Sequence, residues 1–198
     1  YSDKMPTAGE QVWDDVDAAD EGVTDLGGDN TIGYEVTMSG ITASASYART
    51  GPGTDNSIVL IANELVDNAS FGIGSGTNAG SSSGTEDDMM TAWATYTTGP
   101  ITMGAQLSEI DKTAANSDVD REHVAISFAV NENLSISYGI STVEYEDSTK
   151  SDEESTGFSA SYTMGGMTLG AVANKSDSLL GTAGTDRTFT EVSLAFAF

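Results

Sequence analysis

From residue 31 onward the chain alternates without exception between very short and long links, each separating runs of period-two sequence. The runs are 31–38 and 41–50, 57–65 and 69–75, 89–97 and 101–110, 122–130 and 134–145, 155–163 and 167–175, and then 187–198 alone. Within each pair the link is two or three residues, such as Ser39-Gly40, Thr98-Gly99-Pro100 or Asn131-Glu132-Asn133. Between pairs lie the Gly-, Ser-, Thr-, Asn- and Asp-rich stretches 51–56, 76–88, 111–121, 146–154 and 177–186. Period-two runs joined by tight turns predict antiparallel strands. Soluble sandwiches use hairpins too, but they rarely hold short-long parity through eleven strands. The closing run sets Thr188, Thr190, Val192, Leu194, Phe196 and Phe198 against Arg187, Phe189, Glu191, Ser193, Ala195 and Ala197, an apolar face against a mostly polar one.

The other runs divide in the same way. Ile32, Tyr34, Val36 and Met38 oppose Thr31, Gly33, Glu35 and Thr37; Leu134, Ile136, Tyr138 and Ile140 oppose Ser135, Ser137, Gly139 and Ser141. A small hydroxylic face packs poorly as a core and is suited to lining water. Aromatics gather toward the ends of the apolar face: Tyr34, Tyr47, Phe71, Tyr96, Phe158, Tyr162, Phe196 and Phe198. Only 38% of residues are hydrophobic and no stretch approaches the roughly 20 apolar residues of a spanning helix. A membrane β-barrel meets both conditions, because its strands offer lipid every second side chain. The expected fold is therefore all-β, an antiparallel transmembrane barrel with short turns in the periplasm and long loops outside. Two places fit badly. Residues 57–65 are apolar on both faces, and in 134–145 the pattern switches sides at Val143, through a bulge or because the strand has left the membrane.

Charge narrows the partners. With 31 acidic residues against 7 basic ones the formal charge is -24, which repels nucleic acid. Nine carboxylates fall within residues 3–29, among them Glu10, Asp14, Asp15, Asp17, Asp20, Glu21 and Asp25, against the single Lys4. Taken alone, such a run reads as a solvated acidic loop; inside a narrow lumen it would concentrate cations. Calcium at Asp14, Asp15 and Asp17 is a candidate, although no EF-hand spacing is present, and no cofactor is required. If the alternation holds, Glu35, Gln106, Ser127, Ser137, Ser161, Glu191 and Ser193 face the lumen and wet or charge its wall. Gly72-Ile73-Gly74-Ser75-Gly76 lacks the lysine and following helix of a phosphate loop and reads as a flexible external loop. His123, the sole histidine, reads as a surface residue at a loop-to-strand junction, and Met89, Met90 and Trp93 as interface anchors or lumen packing. No nucleophile, base and orienter can be assembled, so an enzyme is not expected.

The segment before the first strand makes a resemblance specific. An acidic stretch from Val12 to Gly22, then Asp29-Asn30-Thr31-Ile32-Gly33-Tyr34 opening a strand, the Ser39-Gly40 turn and Ser44-Ala45-Ser46-Tyr47 resemble the general porins of Gram-negative outer membranes, most like the alphaproteobacterial kind. The resemblance implies that residues 1–29 are the third loop, folded into the barrel to constrict it, and that 31–38 is the sixth of sixteen strands. Counting onward, the strand at 187–198 is then the sixteenth, the whole chain is one barrel domain, and about five amino-terminal strands are missing or supplied by another chain. It further implies a homotrimer in the outer membrane, contacting the lipid bilayer and lipopolysaccharide, that passes ions and small hydrophilic solutes by passive diffusion. Two other readings stay open on the residues alone: a non-conducting barrel anchor, and a soluble or surface acidic β-protein of a calcium-binding, adhesin-like kind.

Overall fold

A computed structural model describes residues 5–8, 31–50, 53–78 and 85–197. They form one antiparallel meander of eleven strands, in which each strand pairs with its neighbours in sequence. The strands are β1 Thr31–Met38, β2 Ile41–Thr50, β3 Gly53–Val66, β4 Ala69–Asn78, β5 Asp87–Thr98 and β6 Ile101–Asp111. There follow β7 Val119–Ala129, β8 Leu134–Tyr145, β9 Glu153–Met164, β10 Met167–Asp177 and β11 Arg187–Phe196. Among the described residues β1 and β11 do not pair with each other, so the sheet is unclosed.

The tight turns have the chemistry their geometry demands. Ser39 and Gly40 both have positive φ, 52° and 78°, as a primed hairpin turn requires. A side chain on Gly40 would also strike the carbonyl of Asn63, 2.8 Å from the Cβ position. Asn68 and Gly165 supply the positive φ of two further turns, and Asn131 Oδ1 accepts the N–H groups of Asn133 and Leu134 in a third. Each of these links also bonds across the sheet. The carbonyls of Gly40, Asn68, Pro100, Asn133 and Gly166 accept N–H groups of Asn63, Thr97, Ala129, Thr163 and Ala197, tying the turn end into one rim.

At the loop end the strands run further than their sequence pattern suggests: β3 begins at Gly53, β7 at Val119 and β9 at Glu153. The reason is a reversal of polarity. Near the turns the outward side chains are apolar, as with Ile101, Met103, Ala105 and Leu107 on β6. Beyond that level Glu109 and Asp111 point outward and Ile110 points inward, 6% exposed. β7 and β8 do the same, with Asp120, Glu122 and Glu144 outward and Val119 and Val143 inward. The register of β8 is unbroken through Val143, which pairs with Arg121 on one side and Glu153 on the other, so no bulge sits there. Of the two explanations for the switch at Val143, continuation past the hydrocarbon is the one this register favours. The irregularity that does occur lies in β3, between Asn63 and Val66.

Two readings need correction. Residues 72–76 are not an external loop but the middle of β4, paired in register with β3 and β5. Gly72 is there for space: a Cβ would lie 2.6 Å from Nε1 of Trp93, whose indole crosses β4 at this point. His123 is not at the surface either. It is fully buried on the inner side of β7, between Gln106 of β6 and Ser141 of β8.

Candidate functional site

Alternation gives the sheet two chemically distinct faces. The outer face exposes Ile32, Tyr34, Val36, Met38, Ile58, Leu60, Ile126, Tyr138, Phe158, Leu169, Val192 and Phe196, with Ile32 at 76%. A compact soluble fold would bury such a row. All the expected girdle aromatics within the described residues, from Tyr34 to Phe196, lie on this face and are exposed; Phe198 lies outside the described residues. The inner face carries Thr, Ser, Gly and Gln, and its hydroxyls pair directly across neighbouring strands. Thr37 meets Thr42 at 2.8 Å, Ser46 meets Ser57 at 2.7 Å, Thr91 meets Ser108 at 2.9 Å and Ser137 meets Ser159 at 2.6 Å. Each hydroxyl both donates and accepts, so these cross-strand pairs satisfy one another while leaving the face wettable.

Glu35, Gln106, Ser127, Ser137, Ser161, Glu191 and Ser193 all occupy inner positions, as the register shows. Glu35 pairs with Ser44, Gln106 with His123, Ser127 with Ser137, Ser135 with Ser161, and Glu191 with Val172. Gln106 is fully buried and Ser137 nearly so. Cations reach the same face as Arg121 and Arg187, the latter opposite Ser176. Glu10, Asp14, Asp15, Asp17, Asp20, Glu21 and Asp25 lie outside the described residues, and with them the calcium candidates. Among the described residues no group of three or more His, Asp or Glu side chains could hold a metal ion.

One segment lies across the inner face. Met5 is buried against Ala125 of β7. Pro6 sits over Gly104 of β6, where a Cβ would approach its Cδ to 2.6 Å. Thr7 Oγ1 lies 3.3 Å from Ser159 Oγ and 3.4 Å from Ser137 Oγ, and the Ala8 N–H donates to Ser137 Oγ at 3.0 Å. The seat is a lateral row of the smallest residues, Gly104, Ala125, Gly139 and Gly157, neighbours on four successive strands. A polypeptide can approach a sheet closely only over such a row. Sequence reading missed Thr7, Ser159 and this row, because small residues on separate strands line up only once the register is known.

The inner face is not uniform. Across β3 to β6 it carries an apolar cluster of Val59, Met89 and Ile110 with Ile61 against it, which explains why 57–65 is apolar on both sides. Of the residues read as anchors or packing, Met89 and Trp93 are buried on the inner face and Met90 is outward and exposed. At the loop end the fully buried Glu153 accepts hydrogen bonds from Tyr145 Oη (3.2 Å), Ser176 Oγ (3.2 Å) and the N–H of Leu180 (2.8 Å). It thereby holds the 178–186 loop to the wall, while the Ser151 N–H donates to the Gly181 carbonyl and Lys150 Nζ stacks 4.1 Å over the Tyr145 ring. Outside the strands, Asp147 accepts the side-chain hydroxyl and then the N–H of Thr149, which hold its carboxyl below the usual range.

With this geometry in view, comparison with known proteins is specific. The family model described as Gram-negative porin matches residues 63–198. An anion-selective porin from Comamonas acidovorans superposes with a TM-score of 0.73 at 15% identity, over 98% of this chain and 66% of its own. Two structures of OmpT, an outer membrane protein of Vibrio cholerae, match with TM-scores of 0.56 and 0.55 at 15% and 12% identity. They cover 84% and 83% of this chain and 62% and 60% of theirs, so the chain spans less than two thirds of each solved structure. No curated protein matches the sequence.

Proposed function

This chain belongs to the Gram-negative porin family, and from that premise we propose that it forms most of the wall of a water-filled channel for passive diffusion of ions and small hydrophilic solutes. A porin is an outer-membrane protein and not an enzyme, and so is this one. The observation that carries the channel reading is the sidedness of the sheet: an exposed apolar outer face, a hydroxylic inner face, and a chain segment laid across the latter. Such a sheet is stable only with hydrocarbon on one side. Its free edges need further strands, since unpaired backbone groups in lipid cost several kcal/mol each. On this reading the barrel has sixteen strands, of which this chain supplies the sixth to the sixteenth, a share close to its 66% coverage of the Comamonas porin. Residues 1–29 are its constriction loop, three copies associate, and the outer face meets bilayer and lipopolysaccharide. Glu35, Glu191 and the acidic loop give it a cationic preference, with calcium at Asp14, Asp15 and Asp17 as an accessory.

Fold does not set that preference, since the Comamonas protein shares the fold and is described as anion-selective. Net charge of -24 argues for the opposite sign here. The test is reconstitution of the full-length protein in planar bilayers under a salt gradient. Stepwise conductance with a cation-selective reversal potential, weakened by Glu35→Gln with Glu191→Gln, is the expected result. Silence through repeated insertions of folded protein contradicts the channel, and an anion-selective potential contradicts the charge assignment.

A further inference from the structure

Asn174, on the inner face of β10, is 4% exposed, and its Nδ2 is buried without a hydrogen-bond partner. A buried amide N–H with no acceptor is costly, so the position calls for an explanation. Asn174 lies directly across from Gly157, the last residue of the small row on which the Met5–Ala8 segment is seated. Between them is a cavity of about 10 Å³, lined by Pro6, Thr7, Ser137, Gly157, Ser159 and Asn174 among others. That volume suits about one water molecule, and the lining offers it several polar partners.

We propose that this cavity is the site of one structural water that joins Asn174 to the inner strap, making Asn174 the residue that positions the strap on the wall. The orphan atom is an N–H donor, so its guest must accept a hydrogen bond, which a water oxygen does and a metal cation does not. The water's own protons are then directed at the Thr7 and Ser159 oxygens, which already share hydrogen bonds with Ser137 and with each other. The strap is thereby held by Met5 and Pro6 over Gly104 and Ala125, by Thr7 and Ala8 directly on Ser159 and Ser137, and by the water that adds Asn174 to these contacts. Any effect on pore width rests on the channel reading above; the attachment itself does not.

The test exploits the absence of native cysteine in this sequence. In the full-length folded protein, Met5→Cys with Ala125→Cys places two thiols at a strap-to-wall contact; Ala125 also lines the cavity, so this pair is the common parent of every variant compared, and its rate of disulfide formation reports how firmly the strap is seated. Adding Asn174→Leu is expected to slow that rate about fivefold, the equivalent of one net hydrogen bond. Asn174→Thr, a residue well suited to a strand, should slow it too, and covers the case in which the leucine variant does not fold. Thr91→Val, which breaks a hydroxyl pair away from the strap, should leave the rate unchanged. Equal rates in both Asn174 variants and the parent, or no cross-link in the parent, overturn the proposal. So does a crystal structure with Asn174 Nδ2 bonded directly to protein and no water oxygen against it. Because the rate is read without passing current, a silent bilayer would count against the channel alone.

Discussion

The turn end and the loop end of β6, β7 and β8 follow the same alternation but assign it to opposite polarities. Near the turns Leu107, Ile126 and Tyr138 point outward and Gln106, Ser127 and Ser137 inward; near the loops Glu109, Asp120 and Glu144 point outward and Ile110, Val119 and Val143 inward. Backbone pairing passes through the change without a shift in register. The strand therefore has no preference of its own for an apolar outside. What changes is the medium, hydrocarbon beside the lower reach and water beside the upper, and the apolar partner of each reach is on whichever side lacks water.

The most forceful way to break this contrast is to move a cation between the two reaches. Ile126→Arg should destabilise the folded barrel by about 2 to 4 kcal/mol, whereas Glu122→Arg, four residues away on the same face, should cost at most about 1 kcal/mol. Urea unfolding in lipid vesicles gives both numbers, and equal costs would erase the boundary. The upper reach has the converse weakness. Val143 is fully buried inside, so Val143→Ala should cost about 1 to 3 kcal/mol through lost burial and the cavity it leaves. Removing the exposed carboxylate beside it with Glu144→Ala should change stability by no more than about 0.5 kcal/mol. The smallest effect lies beyond the strands. Asp147 is held low by Thr149, and a carboxyl depressed in the folded state contributes stability above its unfolded pKa that is lost as pH falls through the folded one. Thr149→Ala should raise the Asp147 titration toward the ordinary aspartate range, read by NMR, and shallow the acid limb of stability.

Most of the fold was legible because a two-residue period is robust to small errors of boundary. The five tight turns, the eleven strands and the two-faced alternation within them follow from it. What was hidden depends on neighbours across strands. Gly72 looked like a loop residue because its reason is Trp93, twenty-one positions away. His123 looked superficial because the charged Arg121 and Glu122 precede it, yet Arg121 also points inward, where the upper wall is packed. The seat for Met5–Ala8 combines Gly104, Ala125, Gly139 and Gly157 from four strands, and Asn174 gains its significance only beside them. None of these has a local signature.

The central claim is that successive side chains of one strand meet different media and that the outer medium changes along it. Spin labels placed singly from Val119 to Ala129, in the full-length protein in bilayers, test this directly by their accessibility to oxygen and to a water-soluble nickel complex. Positions 124, 126 and 128 should favour oxygen, 120 and 122 nickel, and the intervening inner positions should show no lipid exposure. Oxygen preference at position 127, or an unbroken lipid signature from 120 to 128, would contradict the account.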